Sequence, residues 1–200
     1  MNIYGRYPFV SWKWRNIENC FLELAKFKHP IHQISFHTLE ALDCLEFERG
    51  DFIMKLNKDD LFYFCSMIEY TGRKTKNHRK DVISKLSDND IEHELSVACV
   101  NHCLSFDQVC DEWIEKYKIE NGSYDSINEC KYTVPSYTSI EKVYQRLVLD
   151  TLDSDDKLIS TIRKVFNSFI IDDITFFNSN IYYSNPDYLK CSYQEGKLLD

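Results

Sequence analysis

The chain has 200 residues, 44% of them apolar and 14% aromatic, and this supply of core-forming side chains excludes a largely disordered protein. Only 5 Gly and 4 Pro are present, which argues against collagen-like or linker-rich chains and against a strand sandwich with many tight turns. The formal net charge of -8 is opposite in sign to that of a typical nucleic-acid-binding domain. We therefore expect a helical protein.

The apolar runs and the cysteines indicate the cellular compartment of the protein. No run of about 18 apolar residues occurs, and the segment 1–15 lacks the unbroken apolar stretch of a signal peptide. The 8 cysteines are spread along the chain, mostly inside apolar helical patterns, whereas a secreted disulfide scaffold is shorter and denser in Cys. We expect a soluble cytoplasmic protein with reduced thiols and no membrane contact.

Helices are predicted where apolar side chains recur every three or four positions. Before residue 120, the segments with this pattern are 16–28, 38–49, 58–71, 78–86, 89–104 and 106–117. Asn57 and Asn77 are the predicted N-caps of the third and fourth helices, and Gly72 is the predicted end of the third. Ser105 and Gln108 have the spacing of a capping box before the sixth helix.

The second part of the chain begins with a change of pattern. Residues 120–138 lose periodicity and gain turn formers, which indicates a long surface connection or a soft domain division. One helix is predicted around Ile140–Leu147 and another from Ser154 through Phe169, followed by an aromatic, Asn-rich tail. The predicted fold class is mainly α: an irregular bundle of about eight helices in a single domain, 1–200, in which the tail forms a short β-hairpin or a packed loop.

Charge is divided unevenly between the two halves. Residues 1–100 contain 14 basic and 15 acidic side chains, whereas residues 101–200 contain 10 and 17. The acids concentrate at 107–115, 150–156 and 172–173. They form either solvated helix faces or an anionic docking surface, which would speed encounter with a basic protein most strongly at low salt.

One basic stretch stands out from this acidic background. Between Arg73 and Lys80 the sequence GRKTKNHRK holds five cations and His78. Three interpretations are open: a solvated loop between helices, contacts with carboxylates of this chain or of a partner, and phosphate binding. Arg73 and His78 also resemble the R-x4-H element of the HEPN ribonucleases, a helical family, and that resemblance implies His78 as general acid or base and Arg73 as the group that stabilises the phosphate.

Other candidate sites are weaker. Cys99, His102 and Cys103 share consecutive helical turns, with His93 as a fourth candidate ligand, but the paired spacing of zinc sites is missing. His29, His32 and His37 flank Pro30 in a predicted loop, where we expect surface side chains. Carboxylate pairs such as Glu112 with Glu115 are ordinary on helix surfaces, and no nucleophile or phosphate-loop motif occurs. We expect no catalytic residue, no metal site and no cofactor.

The chain is also rich in aromatic residues, which are frequent at protein interfaces. The chain has 13 Tyr, 13 Phe and 3 Trp, more than a small helical core needs, and several Tyr residues follow the acid runs D-S-D-D at Asp153–Asp156 and I-I-D-D at Ile170–Asp173. In size, acidity, side-chain bias and these runs the chain resembles bacterial toxin-immunity proteins of the contact-dependent growth inhibition kind.

The resemblance implies an antitoxin in a one-to-one complex with a cognate basic protein toxin, often a nuclease, without direct nucleic-acid contact. The predicted partner-binding residues are carboxylates and possible Tyr anchors: Asp150, Asp153, Asp155, Asp156, Asp172, Asp173, Tyr182 and Tyr183. Two alternatives remain open at this point. One is a HEPN-like ribonuclease that uses Arg73 and His78, and the other is a non-enzymatic regulatory module for another basic partner.

Overall fold

A computed structural model describes residues 58–153 and 157–199 of the chain. Of these residues 67% are helical and none lies in a strand, which confirms the predicted mainly-α class. The helices are α1 Lys58–Thr75, α2 Arg79–Ser84, α3 Asp88–Ser96, α4 Ala98–Asn101, α5 Phe106–Tyr117, α6 Tyr137–Thr151, α7 Leu158–Phe166, α8 Phe169–Thr175 and α9 Pro186–Glu195, with a 3-10 turn at Ile181–Tyr183. The predicted helices 16–28 and 38–49 lie outside the described residues.

Helix α1 is the central element of this part of the chain. It packs most extensively on α6 and also contacts α2, α3, α4 and α5. Leu61, Phe64 and Ile68 are fully buried along it, and Ile140 and Tyr144 are buried on the facing helix. Burial of such side chains contributes about 1.5–3 kcal/mol each, so this helix pair provides much of the core.

Local capping signals are confirmed where both partners are close in sequence. The Ser105 hydroxyl accepts a hydrogen bond from the Gln108 backbone N–H and the Gln108 side chain accepts from the Ser105 backbone N–H, which is the predicted capping box of α5. Ser87 and Asp90 form the same arrangement at the start of α3. The predicted helix 89–104 is divided into α3 and α4 by a non-helical Val97.

Gly72 does not end the first described helix, and that prediction is wrong. Helix α1 continues to Thr75, and the chain turns only at Lys76, whose φ is 54°. A Cβ on Gly72 would lie 2.6 Å from Cδ of Arg79. Glycine is needed here because the buried Arg79 side chain crosses the helix at this point, and not because the backbone changes direction.

Asn77 is not an N-cap, contrary to the prediction. His78 occupies that position before α2 and makes no side-chain capping bond. The Asn77 amide instead donates to Thr75 Oγ1 at 3.0 Å and to the Glu120 carbonyl at 2.7 Å. The side chain therefore ties the turn after α1 to the segment that follows α5.

The predicted helix from Ser154 through Phe169 is also altered. Ser154 lies outside the described residues, α7 begins after Lys157, and the chain leaves helical geometry between Phe166 and Phe169 before α8 starts. The Ser168 hydroxyl donates to the Val165 carbonyl at 2.5 Å, a local bond that competes with continuation of the helix.

The aromatic tail forms a packed loop and a helix, and no hairpin occurs among the described residues. Asn185 accepts from the Asp187 backbone N–H, and Pro186 occupies the first turn of α9, where a missing N–H costs nothing. Helix α9 packs on α6 and α8, so the tail contacts both helices.

The segment 120–138 is largely irregular but is hydrogen-bonded to the turn after α1. The Gly122 backbone N–H donates to the Thr75 carbonyl and the Tyr124 N–H donates to the Lys76 carbonyl, each at 2.8 Å. A Cβ on Gly122 would lie 2.2 Å from Asn77 Oδ1, so only glycine permits this approach. The segment thus follows the turn after α1 closely, and its role as a domain division stays a prediction.

Candidate functional site

The basic stretch Arg73–Lys80 is engaged with carboxylates of the same chain. Each of its five cations has a carboxylate oxygen within ion-pairing distance: Arg73 and Arg79 with Glu69, Lys74 with Asp107 and Asp111, Lys76 with Asp125, and Lys80 with Asp172. Of the three interpretations of this stretch, the contact with carboxylates of this chain is the one observed. These cations join α1 and α2 to each other and to three other parts of the described fold, namely α5, the segment 120–138 and α8, and all of them already have an anionic partner.

The buried member of this set is Glu69. Its carboxylate accepts from Arg73 Nε at 2.6 Å, from Arg79 Nε and Nη2 at 2.7 and 2.9 Å, and from the Tyr144 hydroxyl at 2.8 Å. Although burial favours the neutral acid, the two guanidinium groups lower the pKa of Glu69. Glu69, Arg79 and Tyr144 are fully buried, so the group is a structural ion pair in the core.

Arg73 and His78 have separate partners. Besides Glu69, the Arg73 guanidinium donates to the Pro135 carbonyl at 3.0 Å and lies 5.1 Å from the centre of the Phe177 ring. His78 Nδ1 is 2.7 Å from Asp172 Oδ1, and its ring stacks on Tyr124 with 3.9 Å between centroids. The structure therefore gives each of these two residues its own set of intramolecular contacts.

The cysteine and histidine candidates form no metal centre among the described residues. No group of three or more His, Cys, Asp or Glu side chains there could hold a metal ion. The His102 ring lies 4.2 Å from the Tyr63 ring, and burial lowers the pKa of this His. No disulfide joins the six described cysteines. His29, His32 and His37 lie outside the described residues.

The predicted docking carboxylates have different surroundings. Asp150 accepts from Arg146 Nε at 2.5 Å, and Asp153 is exposed. Asp172 meets both Lys80 and His78, each at 2.7 Å. Asp173 is half-buried and has no ion pair among the described residues; Asp155 and Asp156 lie outside them.

Exposed aromatic side chains collect in one region. Four large apolar side chains are exposed in the described part of the chain. Tyr183 (77% exposed) is in the 3-10 turn, Phe176 (52%) is in the segment before it, and Tyr132 (69%) is in the segment that hydrogen-bonds to Asn178, whereas Leu104 lies elsewhere. The Tyr182 ring is 4.3 Å from the Tyr183 ring. We refer to Tyr132, Phe176, Tyr182 and Tyr183 as the aromatic patch. Apolar surface gathered in this way marks interaction sites.

A buried ring and two hydrogen bonds between segments hold the aromatic patch in place. Phe177 is buried beneath it, and Tyr182 packs edge-on against Phe177 at 5.7 Å. The Lys131 backbone N–H donates to Asn178 Oδ1 at 2.7 Å, and the Asn178 amide donates to the Glu129 carbonyl at 2.9 Å. These bonds hold the segment with Tyr132 beside the segment with Phe176, although the two are more than 40 residues apart.

Acidic side chains lie on α8 and α9, the two helices that flank the 3-10 turn in the chain. Asp173 lies on α8 one turn before Phe176, and α8 packs against the 3-10 turn. Asp187 follows at the start of α9, where its charge raises the pKa of Arg146, after the larger effect of Asp150 on the same guanidinium. Asp150 on α6 and Asp187 on α9 therefore both act on the charge of Arg146, and α9 contacts both α6 and α8.

Tyr182, Tyr183 and Asp173 of this region are among the residues predicted from the sequence, whereas Tyr132, Phe176 and Asp187 are not. Tyr132 lies in a segment without hydrophobic periodicity, so the sequence pattern there does not predict which surface of the fold contains its side chain. Phe176 follows the apolar face of α8 and resembles a core residue in sequence. For Asp187, the N-P-D sequence at the start of α9 was a usable signal for an exposed acid in a first helical turn.

Comparisons with known proteins found no relative of this chain. The chain matched no protein-family model, no curated protein and no solved structure. Among the described residues, no helix has the length and apolar character needed to cross a membrane.

Proposed function

We propose that this chain is an immunity-type antitoxin, which binds and neutralises a cognate basic protein toxin in a one-to-one complex. The observation that carries the proposal is the aromatic patch beside the acidic residues of α8 and α9. Tyr side chains bury much area for little rotamer entropy, and they dominate many protein interfaces. The toxin class that fits best is a nuclease, because a nuclease is cationic where it grips phosphates.

The acids and the aromatic rings have different tasks in this mechanism. Long-range attraction between the carboxylates and a cationic cleft speeds association, and salt weakens this effect. Contacts of Tyr182 and Tyr183 with the partner slow dissociation, because these rings lose water only in the final complex. The rigid helical frame supports both tasks, since little ordering is then needed on binding.

The carboxylates contribute unequally. The charge of Asp172 is already shared with Lys80 and His78, so this residue orients the neighbouring surface more than it attracts a partner. Asp153 and Asp173 have no ion pair among the described residues, so no cation of the described fold offsets their charges. We therefore place Asp173 at the centre of the interface and Asp150 and Asp153 at its rim, whereas Asp155 and Asp156 lie outside the described residues.

The candidate toxin for the experiment is a basic protein encoded by a gene next to this one, and an isolated gene would count against the proposal. Association and dissociation rates are measured by stopped flow between 50 and 300 mM salt, and toxin activity is assayed with and without this chain. Replacing Asp150, Asp153, Asp155 and Asp156 by Asn is expected to slow association and flatten its salt dependence. Tyr183→Ala is expected to accelerate dissociation at least 10-fold, whereas Leu104→Ala, an exposed apolar control outside the aromatic patch, leaves both rates unchanged.

Two results would overturn the proposal. One is the absence of a complex with the candidate toxin at ordinary salt. The other is cleavage of RNA by this chain alone that His78→Ala abolishes, which would favour the HEPN-like alternative. A complex that does not inhibit the toxin would instead support a regulatory module for a basic partner.

A further inference from the structure

Asp173 is a carboxylate without a counter-charge among the described residues. Its side chain is half-buried on α8, and no Lys, Arg or His of the described residues forms an ion pair with it. Burial, together with the charge of Asp172, raises the pKa of Asp173. Asp172 is different although it is adjacent in sequence, because it meets Lys80 and His78. A cation placed against Asp173 would therefore remove an electrostatic cost that the unbound chain carries.

The side chains around Asp173 restrict what this cation can be. Phe176 follows one helical turn later, and the 3-10 turn that packs against α8 carries Tyr182 and Tyr183. Aromatic faces attract cations, and the attraction is strongest for a planar guanidinium that can stack on the ring. A guanidinium can also bind a carboxylate through two parallel hydrogen bonds, which an ammonium cannot.

The same combination already occurs on the inner side of this cluster. The Arg73 guanidinium lies 5.1 Å from the centre of the Phe177 ring while its Nε donates to Glu69 at 2.6 Å. Phe177 in turn packs against Tyr182. One face of the ring cluster is thus occupied by an arginine paired with a carboxylate. Asp173 lies on the helix that packs against the 3-10 turn, and no arginine of the described residues forms an ion pair with it.

We propose that Asp173 and the aromatic patch form a docking site for an arginine side chain of a basic protein partner. The inference rests on the proposed function and adds to it the chemistry of the partner's anchoring residue. Charge complementarity supports this occupant, because the proposed partner is basic and Asp173 is acidic. The exposed rings favour a guanidinium over an ammonium group. A lysine at the same position of the partner would reach Asp173 but would lose the stacking contact.

The test compares two short probes of equal charge. Blocked hexa-arginine and hexa-lysine peptides are titrated into the full chain at 100 mM salt, and binding is followed by calorimetry and by the fluorescence of the chain. The expected result is at least 5-fold tighter binding of the arginine peptide. Asp173→Asn and, separately, Tyr183→Ala are expected to bring the arginine peptide to the affinity of the lysine peptide, because each variant removes one half of the proposed site.

Asp153→Asn is the matched control. It removes one exposed negative charge outside the aromatic patch, so it is expected to weaken both peptides equally and to preserve the ratio of their affinities. Circular dichroism checks that every variant is folded; Tyr183 is 77% exposed, so its variant reports on binding even if Asp173→Asn alters the helix. Equal binding of the two peptides by the unaltered chain, or an arginine preference that survives both variants, would overturn the inference.

Failure of this inference can be told apart from failure of the proposed function. If the chain binds its basic toxin, and Tyr183→Ala weakens that complex while Asp173→Asn does not, the antitoxin role stands and the arginine site is wrong. If the arginine preference is present but no toxin is bound or inhibited, the site stands and the antitoxin role is wrong.

Discussion

Glu141 is a buried carboxyl group whose protonation should control stability near neutral pH. It lies on α6 against α1 and is fully buried, and neither of its carboxyl oxygens has a hydrogen-bond partner among the described residues. The nearby Ser66 hydroxyl donates to the Phe62 carbonyl of its own helix at 2.8 Å. Burial is the main cause that raises the pKa of Glu141 to about 7, and the negative charge of Glu69 adds to it.

The sign and size of the effect follow from proton binding. Between the ordinary pKa of 4.5 and the folded value of about 7, the folded chain holds one proton more than the unfolded chain. The free energy of unfolding therefore falls by about 1.4 kcal/mol per pH unit as pH rises through this window. The whole window amounts to about 3 kcal/mol, a large part of the stability of a typical domain.

Glu141→Gln removes this titration while keeping the size of the side chain. We expect the variant to equal the unaltered chain within about 1 kcal/mol at pH 4.5, where both side chains are neutral, and to exceed its stability by about 3 kcal/mol at pH 8. Urea unfolding followed by circular dichroism at both pH values measures the two differences. Other groups that titrate in the window cancel, because they are present in both chains.

Glu112→Gln is the matched control. Glu112 is exposed on α5, so its replacement should leave the pH dependence of unfolding unchanged. The reasoning is refuted if Glu141→Gln and the unaltered chain lose stability in parallel between pH 4.5 and 8. A variant that becomes relatively less stable at pH 8 would mean that a cation, such as the buried Arg73 Nη2 that also has no described partner, stabilises the ionised form.

Two further predictions concern the core around Arg79. Gly72→Ala should destabilise the fold by about 1–3 kcal/mol in urea unfolding, although Ala favours helices, because its Cβ would overlap Cδ of Arg79; a stabilised variant would contradict the packing argument. Arg79→Met keeps the apolar stem but leaves Glu69 with only Arg73 and Tyr144, and it should cost about 3–5 kcal/mol in the same assay. A loss below about 1 kcal/mol, comparable to that of the exposed-site variant Lys74→Met, would show that the buried pair contributes little.

The parts of the fold that could be predicted from the sequence depend on short-range signals. The capping box of α5 needs only Ser105 and Gln108, three residues apart, and the apolar periodicity of α1, α5 and α6 is likewise local. Gly72 was misassigned because a glycine near a helix end has the same local pattern whether it ends the helix or makes room for a distant side chain. The contact that decides between these roles is with Arg79, in the next helix.

The candidate site was predictable only in part, for the same reason. Tyr182, Tyr183 and Asp173 lie within 11 residues of one another, so their grouping could be inferred from the chain order. The pairing of Lys80 with Asp172 joins residues 92 positions apart, and no local pattern reveals it. Tyr132 likewise reaches the aromatic patch only through the bonds of its segment to Asn178. Tertiary contacts therefore decided which acids stay available to a partner.

The ion pairs of the basic stretch also limit how this sequence can evolve. Lys80 and Asp172 are partly exposed, so loss of either charge costs little, and swapping the two signs should be tolerated in a related chain. Arg79 and Glu69 have no such freedom, because the fully buried carboxylate uses the fork geometry of a guanidinium, which lysine lacks. Homologues should therefore keep the second pair invariant and vary at the two positions of the first pair without strong correlation.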